Sequence, residues 1–140
     1  MKITQIREKD GVEALSVLDF NLLIEKIKTE IKTRPVTGLR QALHFVLPGE
    51  SCSFAGKLPK VIPAAVFGRV NGVKRMKVYN GIVELTVGPL AGKVEVDLVK
   101  KKAAELPQTM FAYMGASGNS VKIWTLFTRP DGTLPQTQEE

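Results

Sequence analysis

The chain has 140 residues, 44% hydrophobic and 24% charged, a composition that suits one globular domain with its own core. Twenty Lys and Arg against fourteen Asp and Glu leave a net charge of +6 and a pI near 9.6, which favours anionic partners and disfavours cationic ones. A single cysteine, Cys52, excludes an internal disulfide and fits a reducing, cytoplasmic compartment; neither a signal peptide nor a membrane span is expected from the apolar runs.

Met1 to Arg7 alternates and reads as a short edge strand, followed by a loop from Glu8 to Leu15 around Gly11. Asp19 to Lys32, DFNLLIEKIKTEIK, sets Leu22, Leu23, Ile27 and Ile31 on one stripe. That spacing predicts a helix, capped by Ser16 or Asp19 and ended by Thr33-Arg34-Pro35. Thr37 to Leu47 predicts a second, shorter helix containing the only histidine, His44, and Pro48 to Ser51 predicts a turn. His44 and Cys52 each lack a chemical partner nearby in sequence and read as packed or surface residues.

Val61 to Val70 is rich in β-branched residues, but Pro63 makes it an edge strand or an extended loop; Asn71-Gly72 is a hairpin signal. Val78 to Val87 reads as one strand. Its odd positions Val83, Leu85 and Val87 are expected to pack inward, and its even positions Ile82, Glu84, Thr86 and Gly88 to form an exposed or functional face. After a turn at Gly88 to Gly92, Val94 to Leu106 predicts a helix that Pro107 stops. Met110 to Met114 and Val121 to Thr128 then predict two strands about a Ser-Gly-Asn-Ser turn, and Pro130-Asp131-Gly132 another turn. Trp124, on an apolar strand, is expected in the core.

From residue 78 the order strand, helix, strand, turn, strand predicts an α+β fold. The expected core is a ferredoxin-like or RRM-like split βαβ unit, with helices packed on one face of a mainly antiparallel sheet and the other face open to a ligand. Residues 1–132 form the expected single domain, with 133–140 as a polar tail or linker.

Two groups of residues could hold an anion. Lys57, Lys60, Arg69, Lys74, Arg75 and Lys77 cluster in one central segment as nucleic-acid-binding candidates, and Lys100-Lys101-Lys102 form a second basic run; either reads equally as a solvated face. At the Ser117 to Ser120 turn, Gly118 permits close backbone approach, Ser117 and Asn119 are short polar side chains, and Lys122 adds a point charge. This suits a phosphate, though a plain hairpin turn reads the same.

The residues Tyr79-Asn80-Gly81 to Gly88, and then Ala116 to Ile123, resemble the N-terminal domain of virulence-protein-E-like proteins of bacterial mobile elements. That domain is related to the archaeo-eukaryotic primase core. The resemblance spans roughly Leu58 to Phe127. It implies a strand of the form Tyr-x-Gly, an apolar run and Asp-x-Asp, whose aspartates hold metal ions for nucleotidyl transfer. It also implies a Ser-Gly-x-Gly-x-Lys turn that holds phosphates. Ser117, Gly118, Asn119 and Lys122 match the turn, with Ser120 in place of its second glycine; Tyr79 and Gly81 match the start of the strand. The two aspartates fall on Thr86 and Gly88, which cannot serve as anionic ligands, and Glu84 is a displaced, weak metal candidate.

The resemblance thus implies a catalytically degenerate primase-like domain, with no catalytic residue and no cofactor, in a mobile-element or replication-associated protein. It would bind single-stranded or duplex DNA or a nucleotide, beside a helicase or replication domain in the same or another chain. One alternative is a protein-interaction or structural module without nucleic-acid binding. Another is an active nucleotidyltransferase with displaced ligands.

Overall fold

The computed structural model describes residues 1–29 and 58–136. The helix expected over Thr37–Leu47, the turn after it, His44, Cys52 and Lys57 all lie outside the described residues.

Strands β1 (Lys2–Lys9) and β2 (Val12–Asp19) pair antiparallel in unbroken register, from Lys2 opposite Asp19 to Lys9 opposite Val12. The loop expected at Glu8 to Leu15 is instead the tip of this hairpin. Asp10 and Gly11 both take positive φ, 52° and 77°, the pair of values a two-residue type I′ turn requires to match strand twist. Nor is β1 an edge strand: β3 (Lys60–Ile62) pairs along its other side, giving the order β2-β1-β3, and Ile3, Thr4, Gln5 and Ile6 are all buried. Helix α1 (Phe20–Lys28) follows β2 directly. Asp19 caps it by accepting a 3.0 Å bond from the Asn21 amide, while Ser16 sits within β2.

Pro63 interrupts the next extended segment, so β3 ends at Ile62 and β4 (Ala65–Val70) starts a new pairing with β5 (Val73–Tyr79). Asn71 and Gly72 turn this ribbon with φ of 51° and 76°. The strand expected over Val78 to Val87 is two strands in different sheets. The chain breaks at Asn80-Gly81, where Gly81 has φ 69° and the Asn80 side-chain amide donates to Lys2 O at 2.7 Å and Pro63 O at 2.9 Å. Thr4 ties the ribbon to β1: its buried hydroxyl donates to Ala65 O at 2.9 Å and accepts from the Phe67 amide at 2.8 Å.

The third sheet has the order β6-β8-β7, with β6 Ile82–Val87, β7 Thr109–Met114 and β8 Val121–Leu126; helix α2 (Lys93–Ala104) connects β6 to β7. Both outer strands run antiparallel to β8. Val96 and Ala103 of α2 pack on Val121 and Ile123. Against the opposite face, Ile3, Leu18 and Leu23 close over Ile82 and Trp124, with Phe20, Phe111 and Tyr113 around them. Phe20 and Phe111 stand 5.5 and 5.6 Å from the Trp124 ring, which is fully buried as expected.

The fold is therefore α+β with antiparallel sheets and, among the described residues, two helices. The helices do not share one face, and the face expected to lie open is covered at Ile82 and Trp124, while Glu84, Thr86 and Gly88 remain exposed. The reason is bulk: Ile82, Phe111 and Trp124 project from the even side, and the N-terminal hairpin and α1 supply the apolar surface that removes them from water. The odd side of β6 is not inward. Val83, Leu85 and Val87 are 37%, 49% and 36% exposed, because α2 lies over β7 and β8 and leaves the outer strand bare. No described helix is long and apolar enough to cross a membrane.

Candidate functional site

Strand register brings the even side chains of β6 to those of β8 and β7: Glu84 lies opposite Trp124 and Thr86 opposite Lys122, while Phe111 and Tyr113 face Trp124 and Lys122 from the other edge. The contacts close on one another. The Trp124 indole donates to Glu84 Oε2 at 2.8 Å, and Lys122 Nζ donates to Thr86 Oγ1 at 2.9 Å and meets Glu84 Oε1 at 3.5 Å. The ion pair is about a third exposed on each side chain, where such pairs stabilise by only ~0–1 kcal/mol. Burial pushes the Tyr113 phenol above its ordinary range and the Glu84 charge adds to this, against a smaller opposing effect of the Trp124 indole. Both carboxylate oxygens of Glu84 already have donors, and among the described residues no three His, Cys, Asp or Glu side chains gather as metal ligands.

The turn before β8 adjoins the end of β6. An added Cβ on Gly88 would stand 3.0 Å from Asn119 O, and Asn119 O accepts from the Leu90 amide at 2.7 Å. Within the turn, Gly118 has φ 82° and its amide bonds Gly115 O at 3.0 Å, the Gly115 amide bonds Ser120 O at 2.9 Å, and the Ser117 hydroxyl donates to Asn119 Oδ1 at 2.6 Å. Much of the turn's polarity is thus spent on its own geometry and on docking to the β6–α2 connection. The structure places Ser117, Gly118 and Asn119 together here, with Lys122 further along β8 and directed at Thr86 and Glu84.

The basic candidates fall elsewhere. Arg69, Lys74, Arg75 and Lys77 are all exposed on the β4–β5 ribbon, and Lys60 is exposed on β3. Arg69 donates to Gly72 O at 3.2 Å and to Glu13 O at 3.1 Å, which pins the ribbon beside the β1–β2 hairpin. Lys74 Nζ sits 5.9 Å from the Phe67 ring centroid, and the Lys77 side chain runs over Gly68, filling the space a Cβ would need. No Asp or Glu occurs from Leu58 to Val83, and no ion pair among the described residues engages Lys60, Lys74, Arg75 or Lys77. Sequence reading missed the bare apolar side of β6 and the link from Trp124 to Glu84. The alternation of β6 signalled two unlike faces, but not which of them would be covered.

A family model described as BT4734-like, N-terminal domain, matches residues 53–140. No curated protein and no solved structure matches the chain. The matched family differs from the virulence-protein-E-like, primase-related one, and that resemblance is withdrawn, together with the metal-strand and nucleotide-turn roles and the mobile-element setting it implied. The short motifs behind it have local explanations. Tyr79 ends one sheet and Gly81 breaks the chain before another, so Tyr-x-Gly does not open a single strand; Ser-Gly-Asn-Ser is a self-bonded hairpin turn.

Proposed function

The chain belongs to the BT4734-like N-terminal domain family, and we propose that it is a nucleic-acid-binding module whose contact surface is the basic β4–β5 ribbon, with Lys60 of β3 adding to it. One observation carries the reading: five Lys and Arg and no acid between Leu58 and Val83, displayed on a two-stranded ribbon and the strand that precedes it in the chain. Unneutralised cations at this density draw phosphates by releasing condensed counterions, and a two-stranded ribbon is narrow enough to enter a duplex groove. Lys122 supports the reading less, since Glu84 partly neutralises it and Thr86 Oγ1 accepts one of its hydrogen bonds. The turn at Ser117 to Asn119 has much of its hydrogen bonding satisfied internally, so the ribbon is preferred as the phosphate contact. No catalytic residue is assigned.

If Lys60, Lys74, Arg75 and Lys77 each neutralise one phosphate, log K falls against log salt with a slope of about −3.6 on duplex DNA, which is about 150-fold between ~50 and ~200 mM. Fluorescence anisotropy with labelled single-stranded and duplex oligonucleotides tests this. Replacing Lys74, Arg75 and Lys77 together by Ala shrinks the slope to about −0.9, whereas Lys122→Ala changes affinity less than about twofold. No binding at ~50 mM salt, or a triple variant that binds like the parent, refutes the proposal.

A further inference from the structure

Among the described strands, β6 is an edge whose exposed apolar side chains share one face: Val83, Leu85 and Val87, at 37%, 49% and 36% exposure. The β2 edge differs. Its exposed Val12 and Val17 point to opposite faces, and Glu13 and Ser16 lie between them. Native sheets usually blunt such an edge with charge, proline or a covering element. Nothing within β6 does so on this face.

The β6 backbone also presents a defined pairing surface. The Phe127 amide donates to Gly81 O, so residues 83, 85 and 87 exchange their hydrogen bonds with β8, and Ile82, Glu84 and Thr86 turn their N–H and C=O groups outward. We infer that β6 pairs antiparallel with β6 of a second copy of this chain, about a two-fold axis through Leu85. In that register Glu84 and Thr86 bond Thr86 and Glu84 of the other copy, matching the outward groups, and Leu85 meets Leu85 across a non-hydrogen-bonded pair. Val83 then lies against Val87, so the bare apolar face becomes continuous. An axis through Glu84 would set two carboxylates directly opposite each other, which is unfavourable. An axis through Thr86 would set only residues 85 to 87 of each copy opposite one another, because β6 ends at Val87. Each Glu84 keeps its own Lys122 in the chosen register. Two copies at +6 each repel, so salt strengthens this association, the reverse of its effect on phosphate binding.

Sedimentation of the full chain over a range of concentrations and salt tests the inference. The expected mass is twice the 15.4 kDa of one chain, rising in population with salt. Leu85→Lys returns it to the single-chain mass; Leu85 is half exposed, and an unchanged circular dichroism spectrum with a cooperative melt shows that the variant folds. In a Cys52→Ser background, Leu85→Cys cross-links to itself on oxidation. Val87→Cys does not, because the two copies of residue 87 stand about 14 Å apart along the strands in this register. A single-chain mass throughout, a dimer that survives Leu85→Lys, or equal cross-linking at residues 85 and 87 overturns it.

Discussion

Replacing Thr4 by Val removes one hydroxyl and leaves the shape of the side chain almost unchanged. The hydroxyl is fully buried and serves two backbone groups of β4, donating to Ala65 O at 2.9 Å and accepting from the Phe67 amide at 2.8 Å. No ladder hydrogen bonds join β1 to β4, so Thr4 substitutes for them between the first sheet and the ribbon. Each lost bond costs about 1 kcal/mol net, and a buried group left without a partner costs about 1–3 kcal/mol. Phe67 is only half buried, so water can reach part of the gap and the two groups are not fully penalised. The expected loss is about 2–4 kcal/mol, read as a lower urea midpoint at constant slope by circular dichroism. Thr4→Ser keeps both bonds and loses one methyl, about 1 kcal/mol. Hydrogen exchange at the Phe67 amide should quicken in the Val variant only. If the Val protein is as stable as the Ser protein, the hydroxyl bridge does not hold the ribbon and the reasoning fails.

Two further predictions concern the third sheet. Trp124→Ala empties the centre of the aromatic cluster and removes the Glu84 donor, so stability falls by about 3–5 kcal/mol or the chain fails to fold, as read by thermal denaturation; a loss under about 1 kcal/mol would contradict the packing. Tyr113 binds its proton more tightly in the folded state than in the unfolded one. Its stabilising effect is therefore complete below the ordinary tyrosine value near 10 and is lost as pH rises through the folded value. Absorbance titration should show its phenolate forming above that ordinary value, and Glu84→Gln should move the transition down, since it removes the neighbouring charge.

Local chemistry made much of the fold legible. Asp19 capped a helix where the apolar stripe began, Pro63 ended a strand, Asn71-Gly72 turned a hairpin, and α2, β7 and β8 lie within a few residues of their expected ranges. Asp10-Gly11 carries the same hairpin signal as Asn71-Gly72, but the strand after it, β2, has no regular alternation to support it. The break at Asn80-Gly81 was not legible, because Asn80 is fixed by the carbonyls of Lys2 and Pro63, 78 and 17 residues away. The family resemblance failed for a related reason: its motifs were short, and short motifs near turns answer to turn geometry.

By itself the amino-acid order determined the α+β class, the bounds of β1, α2, β7 and β8 to within a few residues, the burial of Trp124 and the basic segment without acids from Leu58 to Val83. Those follow from neighbours within a few residues, where steric preference, capping and periodicity act. Only the tertiary structure decided that α1 and the first hairpin cover Ile82, Trp124 and Phe111 on the even face, that Lys122 is paired with Glu84, and that Val83, Leu85 and Val87 remain exposed. Strand alternation creates two different faces, but which one is withdrawn from water depends on apolar surface supplied by Ile3, Leu18, Phe20 and Leu23, more than 50 residues earlier in the chain.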